Sequence, residues 1–171
     1  KKMLQASLML ALGLILPFLT AQIQSLGNKF LPMHLPVLLT GFICGWPYGL
    51  VVGFIVPIFR SIIFGMPPMY PTALAMAFEL AAYGAATGVL YKILPKKNIF
   101  IYISLLASMI IGRIIWGGVS VLLYGLDGSA FTWKMFIAGA LLNAIPGIII
   151  QIAVIPLLVM VLKNRSIIDN E

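Results

Sequence analysis

Long apolar runs, separated by short polar or proline-rich stretches, dominate the chain. Five long runs cover about Met3–Ile23, Leu50–Phe64, Thr72–Leu94, Ile99–Tyr124 and Trp133–Leu162, and a shorter one covers about Pro36–Cys44. A transmembrane helix needs about 20 predominantly apolar residues. The pattern therefore predicts an all-α integral membrane bundle of six transmembrane helices, forming a single transmembrane domain over residues 1–171.

The stretches between these runs are rich in residues that end helices. Gly45–Gly49 is predicted to be a tight turn, and Pro146-Gly147 is predicted to tilt or break the sixth helix. The run at Pro36–Cys44 is too short to cross a membrane alone, so we expect a half-membrane helix that is enclosed by protein. The other predicted connections are Gln24–Leu35, which contains Asn28, then Gly65–Pro71, Pro95–Asn98 and Gly125–Thr132.

Composition supports the membrane interpretation. Of the 171 residues, 62% are hydrophobic and only 9% are charged, whereas about a quarter of a typical soluble domain is charged. A water-soluble surface of this size would need more polar groups, so we expect lipid to be its solvent. The net charge of +7 does not indicate nucleic-acid binding, because the chain has no basic cluster interleaved with stacking aromatic residues.

The positions of the basic residues orient the predicted bundle. With six passes and an internal N-terminus, seven basic residues fall at inner ends and two in outer loops, as the positive-inside rule expects. The inner ones are Lys1, Lys2, Lys92, Lys96, Lys97, Lys163 and Arg165, and the outer ones are Lys29 and Lys134. We therefore expect a multi-pass protein of the cell membrane with both termini in the cytoplasm.

Three charged residues remain inside predicted membrane helices: Arg60, Glu79 and Arg113. Charges at this depth are costly and often mark function. With a rise of 1.5 Å per residue, they lie about 6, 12 and 16 Å from the outer ends of their helices. All three can therefore meet in one polar pocket that opens outward.

Two interpretations of these charges stay open. One is a structural ion pair between Glu79 and either arginine, because intramembrane charges usually pair. The other starts from the count of two positive charges and one negative. The arginine left over would favour an anionic ligand, held through a carboxylate or phosphate.

Further polar and aromatic residues are candidates for the same pocket. They are His34, Tyr70, Tyr83, Trp116, Asn143 and Gln151. Tyr83 and Trp116 could instead be interfacial or packing aromatics, His34 an ordinary loop histidine, and Gln151 an interhelical hydrogen-bonding residue. The single cysteine, Cys44, excludes a disulfide within the chain and a cysteine-based metal cluster. We predict neither a metal nor a cofactor.

The first predicted helix carries small residues on one face. Ser7 and Ala11 are four residues apart, a spacing that lets a second helix approach closely. This face could bind a partner subunit, or it could pack within the same chain.

Resemblance to a known family is carried by the stretch Phe30–Phe54, which reads FLPMHLPVLLTGFICGWPYGLVVGF. The resemblance continues through Arg60 and Phe64–Pro68 into Ala75–Glu79. Together with the chain length and the six helices, these motifs resemble the S components of energy-coupling factor (ECF) transporters, the substrate-binding membrane subunits of bacterial vitamin importers.

The resemblance implies a mechanism and partners. An S component binds a vitamin from outside with high affinity, docks on a transmembrane coupling subunit with two cytoplasmic ATPases, and topples to deliver the ligand. It implies docking through small residues of the first helix, here Ser7 and Ala11. The chain has no GxxxxGK[ST] loop, so ATP hydrolysis is expected of the partners and the chain itself is expected not to be an enzyme.

The sequence indicates the family more specifically than it indicates the vitamin. The His-Leu-Pro and Gly-Met-Pro-Pro variants resemble the pantothenate group, and the charge count favours an anion. A pyridoxine-like or hydroxymethylpyrimidine vitamin is the alternative, with its ring stacked on Trp116 or Tyr83. A facilitator or channel is the alternative from another class. Membrane proteases are disfavoured because HExxH and GxSxG motifs are absent and His34 is the only histidine.

Overall fold

The computed structural model describes residues 1–20, 26, 29–165 and 167–168, and all regular elements within these residues are helical. The predicted end of the first helix at Ile23 and the loop residue Asn28 lie outside the described residues. Six helices have both ends among the described residues, and Leu26, Lys29 and Phe30, in the predicted loop, are also helical. The six are α1 (Lys2–Thr20), α2 (His34–Cys44), α3 (Trp46–Phe64), α4 (Met69–Ile93), α5 (Asn98–Leu126) and α6 (Trp133–Asn164).

Five of the six helices are long and apolar enough to cross a membrane, and α2 is the exception. With 11 residues, α2 is about 16 Å long, roughly half of a hydrocarbon core of about 30 Å. All of its residues except Leu35 are buried. The all-helical membrane bundle is confirmed, and α2 has the length and burial predicted for a half-membrane helix enclosed by protein.

Helix α4 lies at the centre of the bundle and packs against α2, α3 and α5. Helix α1 packs against α2 and α3, while α6 packs against α2 and α5. The central position of α4 explains how Glu79, at its middle, becomes fully enclosed by neighbouring helices.

Glycines allow α3 and α4 to touch through their backbones. A Cβ added to Gly49 would lie 2.6 Å from the carbonyl carbon of Gly84, and one added to Gly53 would lie 2.7 Å from the backbone nitrogen of Ala81. Gly88 likewise faces the backbone of Trp46. These small-residue contacts are the kind that hold membrane helices together where lipid supplies no hydrophobic drive.

The predicted tight turn over Gly45–Gly49 is wrong. The turn is confined to Gly45, whose φ of 95° suits glycine, and α3 begins at Trp46. Pro47 falls in the first helical turn, where its missing N–H removes no helical hydrogen bond. Gly49 belongs to the packing face of α3.

Helix α6 is interrupted close to the predicted position. A π-helical segment covers Ala138–Leu142, and regular helix resumes at Ile145. Pro146 therefore occupies the first turn of the resumed helix instead of its interior, which is the position that proline tolerates best.

The two ends of the bundle differ in charge. Lys2, Lys92 and Lys96 surround one hollow, and the Lys163 ammonium donates a hydrogen bond to the Lys96 carbonyl oxygen. We call this the basic end. At the opposite end, α4 begins and α5 ends. Helix α2 begins beside the middle of α4, where the intramembrane acid Glu79 lies.

Candidate functional site

A cavity of about 230 Å³ opens near the end of the bundle opposite the basic end. Its walls come from the first half of α4, the second half of α5, the region around the interruption in α6, and the residues that lead into α2. The lining residues are Leu31, His34, Pro71, Thr72, Ala75, Met76, Glu79, Arg113, Trp116, Ser120, Tyr124, Phe131, Gly139 and Asn143.

An ion pair lies in the wall of this cavity. The Arg113 Nη1 atom is 2.7 Å from Glu79 Oε1. Both side chains are largely buried within the bundle, and Glu79 is only 1% exposed. Of the two candidate arginines, Arg113 is therefore the partner of Glu79, because α5 packs on the central helix α4 and α3 presents Arg60 elsewhere.

The Arg113 guanidinium keeps hydrogen-bonding capacity after this pairing. Its Nε and Nη2 atoms are buried and have no hydrogen-bond partner in the described part of the chain. Buried donors of this kind are normally satisfied in native proteins by protein, water or ligand. Arg113 thus places two unused donors in the wall of the cavity.

His34 lies beside the ion pair, at the first residue of α2 and 1% exposed. Its Nε2 atom is 3.6 Å from Glu79 Oε1, and its ring packs edge-on against Tyr83 with centroids 5.3 Å apart. Nδ1 has no hydrogen-bond partner among the described residues. His34 is therefore a buried residue of α2 that lines the cavity, and not an ordinary loop histidine.

Arg60 does not line the cavity. Its Nη1 atom donates to the Leu14 carbonyl oxygen at 2.5 Å, and its guanidinium lies 4.8 Å from the centre of the Phe18 ring and 5.2 Å from that of Phe64. Arg60 therefore joins α3 to α1, because its face of α3 packs on α1. The prediction that Arg60 lies in the pocket is therefore wrong. The donors that Arg113 does not use in the ion pair remain available there.

The remaining predicted site residues divide into two groups. Trp116 and Asn143 line the cavity, while Tyr83 lies behind it against His34. Tyr70 does not line the cavity. Its hydroxyl donates a hydrogen bond to the Leu123 carbonyl oxygen and so connects the start of α4 to the end of α5. Gln151 is fully buried away from the cavity lining, and its amide has no hydrogen-bond partner in the ranges described.

Several lining residues were not predicted from the sequence, among them Thr72, Ser120, Tyr124 and Phe131. Ser120 and Tyr124 lie seven and eleven residues after Arg113, and Thr72 lies seven residues before Glu79. Residues at such spacings share one face of a helix. Extending the faces of Arg113 and Glu79 toward the helix ends would have found them, whereas Phe131, in a loop, offers no such signal.

A family model described as "ECF transporter, substrate-specific component" matches residues 1–159. The chain belongs to this family. A search of curated proteins and a search of solved structures gave no match. The chain is thus an S component, and the family implies a vitamin-type substrate together with a coupling subunit and ATPases as partners. S components are substrate-binding transport subunits and not ATPases.

The predicted docking residues of this S component lie on its surface. Ser7 is exposed and Ala11 is partly exposed, whereas Ala6 and Gly13 of the same helix face the interior. The Ser7 hydroxyl donates to the Met3 carbonyl oxygen at 2.9 Å, within its own helix. A partner helix would therefore meet the small side chain of Ser7, whose hydroxyl makes no hydrogen bond to another helix among the described residues.

Proposed function

We propose that this S component binds pantothenate in the cavity beside Arg113 and hands it to a coupling subunit with two ATPases. The observation that supports the ligand class is the pair of buried, unused donors on the Arg113 guanidinium. A carboxylate accepts two parallel hydrogen bonds from a guanidinium in a geometry that few other groups match. Pantothenate carries one such carboxylate.

The neighbouring groups support the same assignment. Glu79, at 2.7 Å, would hold Arg113 in a fixed orientation, so that little entropy is lost when the ligand binds. Asn143 and Ser120 in the lining could bond the hydroxyl and amide groups of the ligand. The cavity volume of about 230 Å³ is just below the common range of about 300–1,000 Å³ for ligand pockets, which fits a small vitamin.

A neutral ring is the second candidate, and one observation favours it. Glu79 already balances the charge of Arg113, and three aromatic residues, Trp116, Tyr124 and Phe131, line the same cavity. A pyridoxine-like or hydroxymethylpyrimidine ring could stack on these side chains, with His34 or Glu79 accepting its polar hydrogens.

The direction of transport follows from the placement of the cavity. We infer that the basic end faces the cytoplasm, with both termini there, because cytoplasmic ends of membrane proteins are enriched in lysine and arginine. The cavity at the opposite end then opens to the outside, as capture of an external vitamin requires. In this proposal one transmembrane domain performs capture, and ATP hydrolysis belongs to the partner subunits.

Equilibrium binding of labelled pantothenate to the purified chain tests the ligand, with unlabelled pyridoxine, riboflavin and hydroxymethylpyrimidine as competitors. We expect tight pantothenate binding that resists the competitors. Arg113→Ala should weaken it by about 10- to 100-fold, because hydrogen bonds to charged groups contribute about 1.5–3 kcal/mol. Competition by hydroxymethylpyrimidine or pyridoxine would favour the neutral-ring candidate.

Arg60→Gln is the matched control, since it removes the other intramembrane arginine away from the cavity. Its pantothenate affinity should stay within about twofold of the parent chain, provided thermal unfolding shows that it folds. Asn143→Ala serves as a second test variant, because Asn143 is an exposed cavity residue outside the ion pair. Undiminished pantothenate binding in both Arg113→Ala and Asn143→Ala would refute the assignment of this cavity.

A further inference from the structure

Trp116 contributes a large aromatic ring to the wall of the cavity beside Arg113. The ring packs directly against the backbone of α6 at Gly139. A Cβ added to Gly139 would lie 2.5 Å from Cη2 of the Trp116 ring and 3.2 Å from Cζ2, whereas carbon atoms in contact prefer about 3.5–4.0 Å. The missing side chain at Gly139 therefore decides how far the Trp116 ring can withdraw from the cavity.

Two further sides of the Trp116 ring are in contact with other aromatic rings. The Phe136 ring stacks against it with centroids 6.1 Å apart, and the Phe131 ring meets it edge-on at 5.6 Å. Phe136 in turn packs on α5, because a Cβ added to Gly117 would lie 2.5 Å from its Cε2 atom. Each of the two helices thus presents an aromatic ring to a glycine of the other. A Trp116 ring displaced from Gly139 would move toward the cavity that it lines.

Gly139 belongs to the irregular part of α6. The π-helical segment Ala138–Leu142 contains it, and the Asn143 N–H donates to the Ala138 carbonyl oxygen at 2.9 Å. Short π-helical turns within α-helices are frequent at functional sites. Gly139 and Asn143 both line the cavity, so this segment brings a bare backbone surface and a polar side chain to the same wall.

We propose that Gly139 is a positioning residue that sets the ligand specificity of the cavity through Trp116. This role rests on the proposed function, because it concerns the same cavity. The volume of about 230 Å³ leaves little spare room for a vitamin, so an indole pushed inward excludes part of a long ligand. A methyl group at position 139 therefore acts more strongly against pantothenate, which is extended, than against the shorter hydroxymethylpyrimidine.

Equilibrium binding of labelled pantothenate to the full chain tests this role. In Gly139→Ala we expect the affinity to fall at least about tenfold, since one methylene group in an apolar pocket changes discrimination by about 10- to 200-fold. Labelled hydroxymethylpyrimidine should lose less affinity in the same variant. Gly118→Ala is the matched control, because a Cβ there meets nothing within 4 Å among the described residues. It should bind as the parent chain does.

A second substitution separates positioning of Trp116 from general damage to the fold. Phenylalanine is shorter than tryptophan and leaves room for the added methyl group. In a Trp116→Phe chain, Gly139→Ala should therefore lower pantothenate affinity by less than about twofold, the limit within which independent changes usually add. A loss caused by unfolding of α6 would persist in this background.

A measurement without vitamin keeps the inference testable if the proposed ligand is wrong. The chain has three tryptophans, Trp46, Trp116 and Trp133, so Trp46→Phe/Trp133→Phe leaves Trp116 as the only one. In that chain Gly139→Ala should move the tryptophan emission to longer wavelength and increase its quenching by acrylamide. The physical reason is that the indole leaves the aromatic cluster for the polar cavity.

The outcomes distinguish the two proposals. If the parent chain does not bind pantothenate, the proposed ligand fails, and the Trp116 emission in Gly139→Ala alone decides whether Gly139 positions the ring. Unchanged emission would overturn the inference. It would also be overturned by an unchanged pantothenate affinity, by equal losses for both vitamins, or by a loss as large in the Trp116→Phe chain as in the parent.

Discussion

The pair formed by Glu79 and Arg113 places opposite charges in the interior of a membrane bundle. Removing charged groups from water costs several kcal/mol per ion, and the attraction between partners offsets this only when both are present. The pair is therefore a weak source of stability but a strong constraint on orientation. It holds the guanidinium of Arg113 in the wall of the cavity, between α4 and α5.

Removing one member of the pair should reveal the cost of leaving the other charge buried without its partner. Glu79→Gln leaves the Arg113 charge without its partner and should destabilise the folded chain by about 3–5 kcal/mol. The double variant Glu79→Leu/Arg113→Leu should regain much of that loss, because apolar groups of similar size often replace a buried pair without cost. Unfolding of purified chains in detergent measures both. A Glu79→Gln chain as stable as the parent would show that the pair does not form.

At the scale of helices, the contact between α3 and α4 depends on the absence of side chains. Gly49→Ala would place a methyl group 2.6 Å from the Gly84 carbonyl carbon and 2.9 Å from its Cα atom. Backbone atoms cannot turn aside as a flexible side chain can, so the helices must separate. We expect a destabilisation of at least about 1–3 kcal/mol, the usual cost of overpacking, measured by unfolding in detergent.

Gly118→Ala is the control for this prediction. A Cβ at Gly118 of α5 would meet nothing within 4 Å among the described residues, and alanine is favoured over glycine in helices by about 1 kcal/mol. This variant should be as stable as the parent or more so. Equal destabilisation of both variants would mean that the α3–α4 contact is not the cause.

The exposed face of α1 allows a second test at the helix scale. Ser7→Trp replaces a small exposed side chain by a bulky one and should block assembly with the coupling subunit, while vitamin binding stays unchanged. Co-purification with the coupling subunit and ATPases, and ATP-dependent uptake, are the measurements. Ile114→Trp, on an exposed part of α5, is the control and should assemble normally. Uptake that continued without ATP or partners would favour a facilitator over an S component.

Sequence patterns predicted the helices well and their rotations poorly. Apolar length alone located five helices, and the depths of Glu79 and Arg113 placed them close enough to meet. Arg60 lies at a comparable depth, yet it contacts Leu14 and two phenylalanine rings. Depth along a helix follows from counting residues, whereas the direction of a side chain depends on which helices are neighbours. Gly49 was mistaken for a turn residue for a related reason, since glycine serves both turns and close packing.

At the scale of the whole molecule, two of the cavities among the described residues lie at opposite ends of the bundle and differ in their chemistry. One holds a paired arginine, an acid, a histidine and aromatic rings, and the other holds lysines without an acid among its described lining. If the lysine-rich end faces the cytoplasm, the first cavity is open to external vitamin, and the second faces the inner leaflet. The orientation of the chain in the membrane is thus a premise of the proposal that the vitamin is captured from outside.

Single-cysteine labelling tests this premise. Cys44 is the only cysteine and is buried, so Cys44→Ala provides a background in which one new cysteine is added. Ser129→Cys, in the exposed connection between α5 and α6, should react with a membrane-impermeant maleimide on intact cells. Lys97→Cys, at the basic end, should react only after the cells are opened. The reverse pattern would place the paired-arginine cavity in the cytoplasm. Uptake from outside would then have to start from a different surface, because no helix rotation within the bundle could bring Arg113 to the external side.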